Sequence, residues 1–362
     1  MTRILLVRLR QIGDVVFTTP AIRALRERFH DAHISYVVEP AAAPVVVGNP
    51  HLDNVIVAPR APGVRGFVQD LKLGARLRAE RYDLAIDFHG GPRASLLTWL
   101  SRASERIGYG GVGRAWMYTR RVARTRALRA RHSVENQWDL LAALGIAPPE
   151  RALVPVEMPA DAATAASVRE RLERAGVEAT HPIVVIHVSA GNPFRRWPTG
   201  HFVTLATTLA SSDPRRRIVI TSGPSEQNAS QDVIDRSRDR GAKNVVSCGE
   251  FSLPELRALL DRAALFIGGD SGPLHVAATT EVPIVGLYGP TLPERSAPWR
   301  DPRIPTESVD AGLLPCRPCD QRVCAPGDFR CLAWVTPERV IEAAERVIKS
   351  RRDSATAPTP SR

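Results

Sequence analysis

The chain has 362 residues, 44% of them hydrophobic and 24% charged, a balance that allows about two domains with cores of ordinary size. It excludes a disordered, collagen-like or disulfide-stapled mini-protein, and no apolar run approaches the ~18–20 residues that cross a bilayer. Only four apolar residues, 4–7, precede Arg8. That is too short for a signal-peptide core, so they are expected to form the first buried strand of a cytoplasmic protein. The formal charge of +11 is uneven: residues 1–150 carry 22 basic and 13 acidic side chains, and residues 151–362 carry 27 and 25. Ten arginines against one acid, Glu105, fall within residues 93–131. Such a field either suits a polyanion (nucleic acid, anionic lipid or a phosphorylated glycan) or is a solvated surface that aids solubility.

Along the chain, short apolar runs at 4–7, 34–38, 55–57 and 84–87 predict strands. Thr19-Pro20 predicts a helix start, with Ile22, Leu25 and Phe29 on one face, and residues 76–81 read as helical. The pattern restarts near residue 183 with strands at 183–188, 217–221, 245–247, 265–267 and 284–287. Helices are expected between them, for example at 202–209 and 253–263. Strands alternating with helices predict an α/β fold with parallel sheets. Two similar domains are expected, residues 1–160 and 161–335, with a linker near 148–159, which holds four prolines. The polar, Pro-rich tail 350–362 is expected to be disordered. In such domains ligands bind beyond the carboxyl ends of the strands, so those loops carry the chemistry.

After the first strand comes Arg8-Leu9-Arg10-Gln11-Ile12-Gly13-Asp14. Gly13 permits a tight or left-handed turn. Asp14 either serves as a general base or only caps the next helix. The loop lacks G-x-G-x-x-G, so a dinucleotide site is not supported. Residues 187–198 combine small residues, including Ser189, with adjacent Arg195 and Arg196. This is either a diphosphate site or a surface loop whose Trp197 packs inward. Gly268-Gly269-Asp270-Ser271-Gly272-Pro273-Leu274-His275 reads either as an anion cradle at a helix start or as a plain turn. There His275 either donates to a phosphate or is structural. Cys316, Cys319, Cys324 and Cys331 cluster within sixteen positions. They are either a structural zinc or iron site or reduced thiols, since a cytoplasmic chain does not rely on disulfides. Cys248 reads as a core residue.

Arg10-Gln11-Ile12-Gly13-Asp14 with Thr19-Pro20-Ala21-Ile22, the 187–198 segment, and Gly269 to Ala278 followed by Pro283 and Gly286-Leu287-Tyr288-Gly289-Pro290-Thr291 together resemble family 9 glycosyltransferases, the lipopolysaccharide heptosyltransferases. The resemblance covers roughly residues 3–345 and lies in the ordered set rather than in any one motif. It implies a GT-B fold: two Rossmann-like, doubly wound parallel-sheet domains facing across a cleft, with a helix at 336–349 crossing back to the first. It implies an inverting transferase that needs no cofactor for catalysis. Asp14 falls on the base. Arg195 or Arg196 neutralises the departing diphosphate, and Ser189, Glu226, Asp270, Ser271, Gly272 and His275 hold the donor. Glu226 falls near an acid for the nucleotide ribose, and Arg8, Arg10 and Gly13 lie toward the acceptor. Some members of this family carry a comparable cysteine cluster, a few of them with iron. The implied partners are a nucleotide-sugar donor, most simply ADP-heptose, and an anionic glycolipid acceptor at the inner leaflet, so the protein would be cytoplasmic and peripheral on the inner membrane. The arginines of 93–131 would steer both lipid and acceptor. A nucleotide-sugar epimerase or hydrolase on the same fold is the rival enzyme reading. A nucleic-acid binder is disfavoured, because aromatic residues are only 6% and no recognised nucleic-acid motif occurs.

Overall fold

The computed structural model describes residues 1–111, 113–123, 131–188, 192–319 and 321–356. The chain divides after Pro159 into two compact units, Met1–Pro159 and Ala160–Arg362. In the first, β1 (Arg3–Val7) has Ile4, Leu5, Leu6 and Val7 fully buried. A strand apolar on both faces can only be central, with helices covering each side. It pairs in parallel with β2 (His33–Val38) through Ile4↔Ile34 and with β4 (Leu84–Asp87) through Ile4↔Leu84. With β3 (Asn54–Val57), β5 (Glu105–Tyr109) and β6 (Arg120–Val122) the sheet runs β3-β2-β1-β4-β5-β6.

The second unit repeats this order. Its strands are β7 (Ile183–His187), β8 (Arg217–Thr221), β9 (Val245–Ser247), β10 (Ala263–Gly269), β11 (Ile284–Tyr288) and β12 (Thr306–Asp310). They run β12-β11-β10-β7-β8-β9, all neighbours parallel. In each sheet the order reverses between the first and fourth strands of its unit. The loops that diverge there, after β1 and β4 and after β7 and β10, open the crevice where such sheets take ligands.

Two expectations change. The helix Thr19–Arg28 has Thr18 at its N-cap position, one residue earlier than expected, and the Thr18 hydroxyl donates back to the Val15 carbonyl. The helix Pro337–Thr356 packs on the core of the second unit. Val340, Ala343, Ala344, Val347 and Ile348 form one apolar stripe buried in that unit's core. Glu345 fixes the stripe by accepting from both ends of the buried Arg216 guanidinium, at 2.7 and 3.0 Å. The tail expected to be disordered from 350 continues as this helix to Thr356, and 357–362 lie outside the described residues. No described helix is long and apolar enough to cross a membrane.

Candidate functional site

In the first unit the chain leaves β1 through Arg8–Gln11 and turns into a short helix, Ile12–Val16. Gly13 is helical and buried, not left-handed as its loop position suggested. Asp14 is the third residue of that helix, and its Oδ2 accepts from the Gln11 N–H at 3.3 Å. The helix therefore starts on the carboxylate, which also pairs with Arg8. The Asp14 side chain stays 38% exposed while Arg8 is 12% exposed. Arg8 also donates to the Phe88 carbonyl at 2.5 Å. Arg8, expected toward the acceptor, is thus engaged with Asp14 and the Phe88 carbonyl, whereas Arg10 is exposed.

The loop after β4 lies beside it. Asp87 is fully buried; its Oδ1 accepts from the N–H groups of His89 and Gly90, both at 2.8 Å, and its Oδ2 from the Tyr118 hydroxyl at 2.6 Å. Burial pushes its carboxyl up, against the lowering effect of the Tyr118, Gly90 and His89 hydrogen bonds. His89 Nδ1–H donates to the Arg10 carbonyl at 3.1 Å. Burial, and then the Arg8 charge, pull the His89 imidazole below its ordinary value. A cavity of about 420 Å³ opens here, lined in part by Arg10, Arg60, Phe67, His89 and Arg93. Arg93 is not available as a steering cation. It donates to Asp70 at 2.9 Å, to Glu39 at 2.8 Å, and to the carbonyls of Ala58 and Pro59. Other arginines of 93–131 are likewise occupied: Arg106 donates to the Met117 and Ala103 carbonyls, Arg120 pairs with Glu105, and Arg131 pairs with Asp139. Arg124, Arg126 and Arg129 lie outside the described residues.

In the second unit β7 ends at His187, whose Nδ1 lies 3.0 Å from the Thr221 hydroxyl. Burial pulls its imidazole down to about 4, against the raising effect of Glu226. Ser189, expected at the donor, lies outside the described residues. Trp197 is buried; its indole N–H donates to the Val335 carbonyl at 2.7 Å and anchors the loop. The two arginines part company there. Arg196 pairs with buried Glu226 at 2.9 Å. Glu226, expected near a ribose, is therefore engaged with Arg196. Arg195 donates through Nη1 to the Asp270 carbonyl at 2.7 Å and lies 3.2 Å from its Oδ2. Its own carbonyl lies where a side chain on Gly269 would stand at 3.5 Å, so the loop after β7 rests on the loop after β10. Ser271 begins the helix Gly272–Ala277, but its hydroxyl donates to the Gly269 carbonyl at 3.2 Å instead of capping. Asp270 is buried, which pushes its carboxyl up. His275 (Nε2 at 3.4 Å), the Arg195 charge and the Thr291 hydroxyl overcome that and hold it at about 2.

Three of the cysteines, Cys316, Cys319 and Cys324, lie within electrostatic reach of Cys331, whose thiol is pushed up first by burial and then by these neighbours. All are free thiols. Among the described residues no three His, Cys, Asp or Glu side chains are arranged to hold a metal ion. The zinc or iron site expected as one reading of the spacing finds no support among the described residues, which fit the alternative of reduced thiols.

One prediction follows from His187. Its folded value near 4 lies below the ordinary 6.5, so the unfolded chain binds the proton more tightly. Stability is unaffected above about pH 6.5 and falls as pH drops from there toward 4, by about 3 kcal/mol at most. Asp270 acts lower, its contribution being lost only between its ordinary 3.8 and about 2. His187→Gln is expected to flatten the unfolding midpoint between pH 6.5 and 4.5. Parallel curves for variant and parent would refute this role.

A family model described as Glycosyltransferase family 9 (heptosyltransferase) matches residues 71–325. Lipopolysaccharide heptosyltransferase 3 of Escherichia coli is 28% identical over 342 residues, 93% of this chain and 97% of that protein. Two solved structures share the fold. The glycosyl transferase family 9 protein from Veillonella parvula DSM 2008 matches at TM-score 0.81 and 23% identity, covering 96% of this chain and 97% of that one. E. coli heptosyltransferase WaaC with ADP matches at TM-score 0.70 and 21% identity, covering 96% and 100%.

Proposed function

The chain belongs to glycosyltransferase family 9, and on that premise we propose that it transfers a heptose from ADP-heptose to an anionic lipopolysaccharide-core acceptor, with inversion at the anomeric carbon, on the cytoplasmic face of the inner membrane. The observation that carries this reading is the position of the motifs: Asp14 follows β1, and Arg195 abuts the loop after β10, each at the switch point of its sheet.

The second unit holds the donor. Arg195 and the backbone N–H groups of Ser271 and Gly272 supply fixed positive charge to the diphosphate as its bond to the sugar breaks. The first unit holds the acceptor in the cavity that Arg10, Arg60 and His89 line, on the same β1 loop that carries Asp14, and the two arginines meet its anionic groups. An acceptor hydroxyl donates to Asp14, which takes the proton as the hydroxyl oxygen bonds to C1. Arg8 keeps the carboxylate turned to that task. No metal or other cofactor enters the scheme.

Incubating the protein with ADP-heptose and a heptose-deficient core acceptor is expected to yield the extended glycolipid and ADP. Donor consumption at the same rate without acceptor would favour a hydrolase or epimerase instead. The two arginines separate in the same system. Arg195→Ala is expected to weaken ADP binding about tenfold, the scale of a hydrogen bond to a charged group. Arg196→Ala should change it less than threefold and instead lower the unfolding midpoint, since it leaves buried Glu226 without its guanidinium. The reverse ranking by isothermal titration would assign the clamp to Arg196.

A further inference from the structure

The cysteine-rich stretch between β12 and the short helix Arg330–Ala333 meets the loop after β7 at two places and the loop after β11 at a third. Gln321 Oε1 accepts from Asn192 Nδ2 at 2.7 Å and from Arg195 Nε at 2.9 Å. The rings of Phe194 and Phe329 meet edge to face at 5.4 Å. Arg317 donates to Asp310 at 3.0 Å and to the Thr291 carbonyl at 2.9 Å, and the Thr291 hydroxyl donates to Asp270. Gln321 itself is held by its own N–H, which donates to Cys319 Sγ at 3.3 Å, while the Cys319 N–H donates to the Pro290 carbonyl at 3.1 Å.

We propose that Gln321 is the positioning residue of Arg195, and that the cysteine-rich stretch is the frame that carries it; this rests on Arg195 being the diphosphate clamp. A guanidinium has five donors in a rigid plane, so fixing two edges fixes the third. Gln321 fixes Nε and Asp270 fixes Nη1, which leaves the Nη2 edge without a hydrogen bond among the described residues. That edge is the one turned over to a phosphate. The choice of an amide is chemically specific. Its oxygen accepts the Nε–H without adding negative charge, so the cation is aimed without a second carboxylate beside that of Asp270. Asn192 Nδ2–H occupies the same oxygen and keeps the amide from flipping.

The test is a double-mutant cycle read by ADP titration of the full chain. Gln321→Leu is expected to weaken ADP binding about tenfold. On an Arg195→Ala background the same substitution should add less than twofold, because it acts only through that guanidinium. Gln321→Glu keeps the size and the acceptor but brings a carboxylate to Arg195. It should weaken ADP binding at least as much as Gln321→Leu, with an unfolding midpoint close to the parent's. Arg195→Ala without effect on ADP would overturn the clamp reading, and this inference with it. Arg195→Ala weakening ADP while Gln321→Leu and Gln321→Glu stay within twofold of the parent would overturn this inference alone. An equal Gln321→Leu effect on both backgrounds would overturn it too, since the amide would then act by another route.

Discussion

Asp14→Asn is expected to lower the rate of transfer by at least ~10²-fold, the scale of a lost general base, while ADP binding stays within twofold of the parent. The amide keeps the size of the carboxylate and can still accept from the Gln11 N–H, so the helix Ile12–Val16 retains its start. It cannot take a proton from an acceptor hydroxyl. It also cannot pair with Arg8, whose guanidinium would keep only its bond to the Phe88 carbonyl. Because Asp14 is more than a third exposed, losing that pair costs little stability. A drop in kcat with an unchanged unfolding midpoint is therefore the signature. Turnover within a few-fold of the parent would remove Asp14 from the mechanism, and a collapse of the midpoint would make it a structural cap.

Sequence patterning finds the strands rich in apolar side chains: β4, β7 and β11 are buried along their whole length and β1 from Ile4 onward, and the short apolar run of β3 is found although that strand is partly exposed. The strands it misses are β5, β6 and β12, whose sequences ERIGY, RRV and TESVD carry no apolar period. β6 and β12 end their sheets, so charged side chains face water there and protect an open edge. These strands owe their existence to the neighbour they pair with, and a local pattern cannot report a neighbour.

The site divides in the same way. Asp14 and Arg195 stand out in the sequence because each lies just past a strand that patterning locates. Their partners were not. Gln321 reaches Arg195 from 126 positions away, and Tyr118 reaches Asp87 from 31. Arg93 counted as part of a basic field in the sequence, yet in the fold it is consumed by Asp70 and Glu39. A charge count sees cations but not the acids that neutralise them. The cysteine spacing leaves a metal site and reduced thiols both open; what it cannot show is that the stretch runs beside the loop after β7 and presents Gln321 there.

Asp87 carries the largest expected loss of stability. Its carboxylate satisfies two loop N–H groups and a tyrosine hydroxyl inside a site closed to water. Asp87→Ala leaves the His89 and Gly90 N–H groups buried without their acceptor, while Tyr118 keeps Ser95 within reach; each orphaned N–H costs about 1–3 kcal/mol unless the loop opens to let water in. A total loss of about 3–5 kcal/mol is expected. Asp87→Asn should lose less than half of that. Its amide oxygen still accepts from His89 and Gly90, and its NH₂ can donate to Tyr118, whose hydroxyl is free to turn toward Ser95 at 2.8 Å. Removing the charge also removes the burial penalty that pushes the carboxyl up. The difference reaches the chemistry, because the loop pinned by Asp87 presents the Phe88 carbonyl that holds Arg8, and Arg8 holds Asp14. Urea unfolding of the full chain should thus rank parent, Asn, Ala, and transfer activity measured well below the midpoint should follow the same order. An Asn variant as unstable as Ala would mean that the negative charge itself, not the acceptor geometry, holds the loop.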